Sequence, residues 1–430
     1  MTRTSEAGWP DEAAGVAVRS GRVGAAWTLG FLTLVSSFNY LDRSLLGLLL
    51  PLIKEDLKLS DTVLGLISGL AFALFYSTLN LPIANLADRY NRRNIIAIGF
   101  AFWSAMTALS GLAANSIHLA ISRFLMGAGE AACLAPAQSM IADSYSKQRR
   151  PLALSIFSTA VAFDALILLP LAAFVAERYG WREAFQLAGV AGILLAALFW
   201  ITVREPARRS DTNQPAAEPV SLRRSFALLW RIPSFRWIMA GVALMGASLY
   251  ASGAWIAALL VRVHGLTVSE VGLYVLPARG IIGIVGILAV GWAAERLGRR
   301  SARWRYRVPA LVVLVLAPGY LALLLSDTPA LWIGGILVTG ALQTAFQGPI
   351  YAVTIDISPS HVKTVAVAVK VFVAGMFGLA MGPLLVGVLS DVLTPRFGDL
   401  AIRYAMLGIP LTSLLAGLCF LRAGQLASDC

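Results

Sequence analysis

Charge is scarce in this chain. Of 430 residues, 13% are Asp, Glu, Lys or Arg and 58% are hydrophobic. A soluble domain carries roughly 25% charged residues, so this sequence lacks the polar surface needed to face water on every side, and a soluble enzyme is excluded. Cysteine is scarce as well: Cys133, Cys419 and Cys430 stand singly, with no CxxC pair and no Cys/His cluster. That pattern leaves no metal site and no disulfide framework. The histidines, His118, His264 and His361, fall near predicted helix ends. With no nucleophile–base pair in view, an intramembrane enzyme is also disfavoured. No G-x-x-x-x-G-K-[ST] loop is present, so ATP is not the expected energy source. Residues 1–22 are polar, include Asp11 and Glu12, and lack the apolar core of a cleavable signal.

What the chain does have is long apolar runs. About 20 apolar helical residues cross a hydrocarbon layer roughly 30 Å thick. Runs of that kind lie near 24–50, 61–85, 94–115, 117–142, 151–176 and 184–203, and again near 236–262, 268–291, 306–325, 330–357, 361–391 and 397–423. The reading is an all-α polytopic membrane protein with twelve spans in two groups of six. Residues 1–23 form a tail, 24–203 the first bundle, 204–235 a linker, 236–423 the second bundle and 424–430 a second tail. The linker carries Pro206, Pro215 and Pro219 among arginines, with a short surface helix expected at Ser221–Trp230.

Net charge is +12. Its placement matters more than its size. With the N terminus inside, the inner segments hold 24 Lys and Arg and the outer connections six. This asymmetry puts both termini in the cytoplasm. The positive charge then reflects orientation in the bilayer and not a nucleic-acid partner.

The two halves echo each other. Ala84-Asn85-Leu86-Ala87-Asp88-Arg89-Tyr90-Asn91-Arg92-Arg93 stands after the second span, and Gly291-Trp292-Ala293-Ala294-Glu295-Arg296-Leu297-Gly298-Arg299-Arg300 after the eighth. Each places an acid–arginine pair three residues before a double arginine. Parallel six-helix repeats imply a duplicated transporter with its substrate site between them. The repeated segment resembles the signature loop of the major facilitator superfamily, G-x-L-A-D-R-x-G-R-R, and the resemblance covers the whole chain. Phe38-Asn39-Tyr40-Leu41-Asp42-Arg43, Leu59-Ser60-Asp61 and Arg123-Phe124-Leu125-Met126-Gly127-Ala128-Gly129-Glu130-Ala131 resemble the spinster-like branch. This resemblance implies the major facilitator fold, two pseudo-symmetric six-helix bundles, and a bacterial inner-membrane secondary transporter of lysolipid or sphingolipid type. The signature departs from the family at Ala84 and Asn91. Span five, Pro151 to Ala176, has no glycine where antiporters usually carry a G-P motif; the pair appears instead in span eleven as Gly382-Pro383, among Gly375, Gly378 and Gly387.

A charged side chain at the bilayer centre costs roughly 2.5–3.5 kcal/mol on insertion scales, so each one asks for a partner or a role. Asp42 and Arg43 sit in span one, Arg123 and Glu130 in span four, at matching depth. An Asp42–Arg123 salt bridge is expected. Arg123, Gly127 and Glu130 fall on one helix face, and Asn39 joins Asp42 and Arg43 at i+3 and i+4. These four charges are assigned to proton coupling; the alternative is a static tie between the two spans. Arg279 and Lys370, mid-span, are candidates to hold a phosphate or carboxylate. Gln343 and Gln347 at i, i+4, with Thr354, and Asn39 and Tyr76 complete the expected substrate contacts; Tyr250 and Trp255 are read as packing residues. Asp164, in span five, receives no role. Asp88, Arg89, Arg92, Arg93, Glu295 and Arg296 are expected to gate the inner side, as the family resemblance implies, while positive-inside anchoring is the plainer account of Arg92 and Arg93.

The expected function is alternating-access transport of an amphiphilic or lipid-like anion, with the proton as coupling ion, no cofactor and no metal. Export is the implied direction, and proton-coupled uptake or efflux of another organic anion or drug is the alternative. A transport-inactive sensor or scaffold of the same fold is the reading from another class. The expected partners are the substrate and the bilayer, the protein being a monomer.

Overall fold

This computed structural model describes residues 12–428 except 147, 209–221, 302, 360 and 361, and the side chains of those from 24 onward except 81, 84, 88, 151, 222, 223, 364 and 428. The described chain is helical, without a strand. Nine stretches are long and apolar enough to cross a membrane. One of these, Val365–Ala427, breaks at Gly398 and holds two helices. Two further long helices are less apolar, diluted by polar and charged residues. Together they give twelve: α1 Glu12–Leu57, α2 Asp61–Ala87, α3 Arg92–Ser110, α4 Ser116–Ser144, α5 Leu152–Tyr179 and α6 Trp181–Thr202. After the linker come α7 Pro233–His264, α8 Val268–Gly298, α9 Trp304–Leu325 and α10 Pro329–Asp356, then α11 over 363–397 and α12 Gly408–Ser428. The linker's short helix is Leu222–Trp230.

Local chemistry sets the helix ends. Ser60 caps α2 by accepting from the Val63 N–H, and Asn91 and Asn115 do the same for α3 and α4; each supplies an oxygen to an N–H that has no partner inside the helix. Thr267 and Glu270 form a capping box at the start of α8. Gly265, at φ 70°, closes α7 in the left-handed conformation that favours glycine.

An even number of spans brings both chain ends to one side. The opposite side, the far end, is where the halves pack backbone against backbone. A Cβ at Gly65 of α2 would lie 2.5 Å from the Pro383 carbonyl of α11, and one at Gly47 of α1 would lie 2.8 Å from the Gly253 carbonyl of α7. Gly387 of α11 meets the Asp61 carbonyl still more tightly. Small residues let helix backbones approach this closely where apolar lipid offers no hydrophobic drive to association. The glycines of span eleven therefore serve packing: Gly378 and Gly382 against α7, Gly387 against α2.

A π-helical turn interrupts α2 at Leu66–Ala71, α5 at Asp164–Leu168, α8 at Val271–Val275 and α11 at Ala374–Leu379. All four of these helices meet a partner across the two halves, α2 with α11 and α5 with α8, while α1 and α7, which also meet across them, carry no such turn. Such turns occur mostly as single bulges, often at functional sites. Near the termini, by contrast, α8 and α10 border an open cavity of about 640 Å³.

Candidate functional site

Helix α1 is longer than its hydropathy indicates, running through Pro51 to Leu57. Asp42 and Arg43 thus lie about 22 Å from its end at 1.5 Å per residue, deeper than the apolar run suggests. There α1 meets α3 and α4. The Thr107 hydroxyl of α3 donates to Asp42 Oδ1 at 2.7 Å. Arg123 Nη1 of α4 donates to the backbone carbonyl of Asp42 at 2.9 Å, and not to its carboxylate. The expected Asp42–Arg123 salt bridge is corrected accordingly: the ion pair of this cluster joins Arg43 to Glu130 at 2.8 Å.

Glu130 is the focus of α1. Its Oε2 accepts from Asn39 Nδ2 at 2.9 Å and Arg43 Nε at 2.8 Å, while Arg43 Nη2 also reaches Asn39 Oδ1 at 3.2 Å. Its Oε1 is buried and has no hydrogen-bond partner among the described residues. The pair is asymmetric in exposure, the Arg43 side chain 22% accessible and the Glu130 side chain fully buried. The Arg43 guanidinium stacks over Tyr76 at 4.4 Å and Phe72 at 4.9 Å, both on α2. It faces a cavity of about 150 Å³ between the halves, lined also by Ser68, Tyr250 and Pro383. Gly127, on the same face of α4 as Arg123 and Glu130, admits α2: a Cβ there would lie 2.6 Å from the Phe72 carbonyl, so α2 packs directly on α4.

Asp164, unassigned from sequence, starts the π-turn of α5 and is 3% exposed. Ser44 Oγ donates to its Oδ2 at 2.9 Å, and its Oδ1 has no partner. Arg279 of α8 donates to Gln343 Oε1 at 2.7 Å and lies 3.5 Å from Thr339 Oγ1. Ser44, Asp164, Arg279 and Gln343 line one cavity of about 410 Å³. Gln347 is not brought to them: α10 breaks into turns between Leu342 and Gln347, so the i, i+4 register does not hold. Lys370, 4% exposed, sets its ammonium 3.0 Å from the Tyr351 ring centroid, apart from Arg279. The Thr354 hydroxyl is spent on the Ile350 carbonyl. Trp255 is fully buried, its indole N–H donating to the Pro383 carbonyl at 2.9 Å.

At the terminal end, Arg92 is 3% exposed and binds Glu205 at 2.7 Å, Ser139 and Asp143, all within its own half. The Arg93 N–H donates to Glu205 at 2.8 Å. Arg89 is exposed, Glu295 pairs with Arg299 one turn along the same helix, and Arg296 lies 5.3 Å from the Trp292 ring. None of these contacts crosses between the halves. The Asp88 side chain lies outside the described residues.

The crossing contacts sit at the far end, where the sequence reading assigned no contact between the halves. The Asp61 carboxylate, 1% exposed, accepts from Lys54 Nζ at 2.7 Å, Arg262 at 2.8 and 3.0 Å, and Ser390 Oγ at 2.6 Å. Asp391 of α11 reciprocates, accepting from the Asp61 and Thr62 N–H groups at 2.9 and 2.7 Å. Two carboxylates thus latch α2 of one half to α7 and α11 of the other. Their signal in the sequence was a pair of acids at far-end helix termini, Asp61 and Asp391, beside Lys54 and Arg262.

Residues 32–383 match the Major Facilitator Superfamily. An MFS-type efflux pump of Mycolicibacterium smegmatis (strain ATCC 700084 / mc(2)155) is 32% identical over 397 residues, 92% of each chain. The sphingosine-1-phosphate transporter SPNS2 of Danio rerio is 26% identical over 427 residues, 91% of this chain and 82% of its own. Among solved structures, a bacterial homologue of the human lysosomal transporter Spinster, in an inward-facing and unoccupied conformation, superposes with a TM-score of 0.83 at 24% identity, covering 94% of this chain and 98% of that one. A twelve-helix fold in two halves, a latch between them and a charged cavity at their interface accord with these matches: the chain is a membrane transporter of the Major Facilitator Superfamily.

Proposed function

We propose that this transporter moves an amphiphilic, lipid-like anion by alternating access and couples it to a proton carried on Glu130. The observation that carries this reading is the asymmetry of the Glu130 carboxylate, with one oxygen held by Asn39 and Arg43 and the other buried without a partner. Arg43 is the member of the pair that reaches the cavity. An anionic head group entering there competes with Glu130 for the guanidinium, whose planar fork suits phosphate and carboxylate. Once Arg43 turns to the anion, a buried carboxylate is left without its counter-charge, and taking a proton on Oε1 removes that penalty. Anion and proton then bind in the same half-cycle. Asp42 holds the backbone of this cluster in register, through Thr107 on its carboxylate and Arg123 on its carbonyl.

The charge asymmetry of the connections supports a bacterial inner-membrane location with both termini cytoplasmic. The far end is then the outer face, and the Asp61 latch closes the outward path between the halves. The name of the 32% identical relative favours efflux as the direction, and the SPNS2 relative favours a lipid phosphate as cargo. The efflux-pump relative also supports a second reading, a drug-like amphiphile in place of the lipid.

Proteoliposomes carrying a pH dye test the coupling. Adding sphingosine phosphate or a lysolipid phosphate should produce substrate-dependent proton movement in the wild type and none with Glu130→Gln. Equal proton movement in both would remove Glu130 from the coupling.

A further inference from the structure

The buried charges do not balance within each half. In the first half Glu130 is matched by Arg43, and Asp42 and Arg123 meet side chain to backbone. Among the described residues Asp164 has no cationic partner, its carboxylate accepting from Ser44. In the second half Arg279 has no anionic partner among the described residues; its neighbours are the neutral side chains of Gln343, the more distant Thr339 and Tyr320. Asp164 belongs to one half and Arg279 to the other, and both line the same cavity of about 410 Å³ between α5 and α8, whereas Lys370, a second buried cation of the second half, sits against Tyr351 and does not line it. That volume lies within the range of about 300–1,000 Å³ typical of small-ligand sites. The rest of the wall is largely apolar, with Leu169 and Ile284 among the lining side chains.

We propose that this cavity clamps a dipolar head group across the two halves, an ammonium on Asp164 and an acidic group on Arg279, with an apolar tail along α5 and α8. Asp164 presents a buried oxygen with no other partner, at the first residue of a π-turn that turns it out of the regular helix register. A purely anionic ligand would meet the Asp164 carboxylate, and a purely cationic one the Arg279 guanidinium. A ligand with both charges satisfies both groups and ties the halves together, so binding bears on the rocking of one half against the other. Ser44, which holds Asp164, follows Arg43 directly on α1, so the clamp adjoins the Glu130 pair. The clamp rests on the transport reading above and refines its substrate class: the anion that draws Arg43 from Glu130 also carries an ammonium, and its bound position is the adjoining cavity, which shares Ser44 with that of Arg43.

The test is equilibrium binding to the full chain in nanodiscs, with three labelled dodecyl ligands: dodecyl phosphoethanolamine, dodecyl phosphate and dodecylamine. The wild type should prefer the dipolar ligand about tenfold or more over either single charge, the effect of one charge-assisted hydrogen bond. Asp164→Asn should abolish the preference over dodecyl phosphate and leave that over dodecylamine. Arg279→Gln should do the reverse, and Asp164→Glu should keep part of the wild-type selectivity as a control for folding. Equal binding of all three ligands by the wild type, or a uniform loss in Asp164→Asn while Asp164→Glu behaves the same way, overturns the clamp. Phosphate-driven proton flux measured on the same preparations judges the Glu130 coupling separately. Its absence with the selectivity intact would sink the coupling and spare the clamp.

Discussion

Neutralising Asp61 should release the far end of the molecule. Its carboxylate is buried, and three of its hydrogen bonds cross between the halves, two from Arg262 and one from Ser390. Removing one partner of a buried ion pair typically costs about 3–5 kcal/mol, because the other charge is left behind. Asp61→Asn keeps the shape and can keep the Ser390 bond, and Asp391 still caps the first turn of α2. Arg262 is itself 12% exposed and can reach water. A loss of about 2–3 kcal/mol from the latched state is therefore expected, roughly a 30- to 150-fold shift in the equilibrium between latched and unlatched forms. Spin labels at Glu55 and Arg396, exposed far-end positions on opposite halves, read this shift as a second, longer distance population. Lys54→Gln, which touches only a contact within the first half, should change the distances much less. An unchanged distance distribution in Asp61→Asn would refute the latch.

Other consequences are independent of that one. Gly387→Ala sets a methyl group against the Asp61 carbonyl; overpacking of this kind costs about 1–3 kcal/mol, and the same labels should report far-end opening, whereas Gly334→Ala, in open space, should not move them. Arg92→Ala leaves Glu205 and Asp143 without their shared guanidinium and should lower the thermal midpoint in detergent more than Arg89→Ala, whose side chain is exposed. On the α9–α10 loop, Arg403 holds the Asp327 carboxyl below the usual carboxylate range. The folded form thus binds its proton more weakly than the unfolded chain, and the contribution is present above about pH 3.9 and lost as pH falls below it. Because Asp327 is exposed, Asp327→Asn should flatten the acid limb of the stability–pH curve only slightly, and a steep change there would contradict the assignment.

The twelve spans were legible because bilayer thickness dictates run length and little else has to be known. The charges of α1 and α4 were legible too, since an ionisable group in an apolar run stands out. Which acid meets which base was not. Successive helix residues point about 100° apart, so whether Asp42 or Arg43 faces Glu130 depends on the rotation of α1, which only packing sets. Gln347 was misplaced for a related reason: the turns after Leu342 break the periodicity that tied it to Gln343. The far-end latch escaped notice because Ser60-Asp61 reads as an ordinary helix start, with a capping serine and an acid in the first turn. Its partners Arg262 and Asp391 lie roughly 200 and 330 residues away. Asp164 carried a signal, a lone acid in an apolar span, but nothing in the sequence pairs it with Arg279 across a cavity.

The most direct test of the central claim compares net flux with exchange in one preparation. Proteoliposomes containing labelled sphingosine phosphate should lose it into buffer with a proton leaving alongside each anion. Glu130→Gln should still exchange labelled for unlabelled substrate, since Arg43 remains to bind the anion, while its flux no longer carries protons. Proton flux persisting in step with substrate in Glu130→Gln would contradict the account.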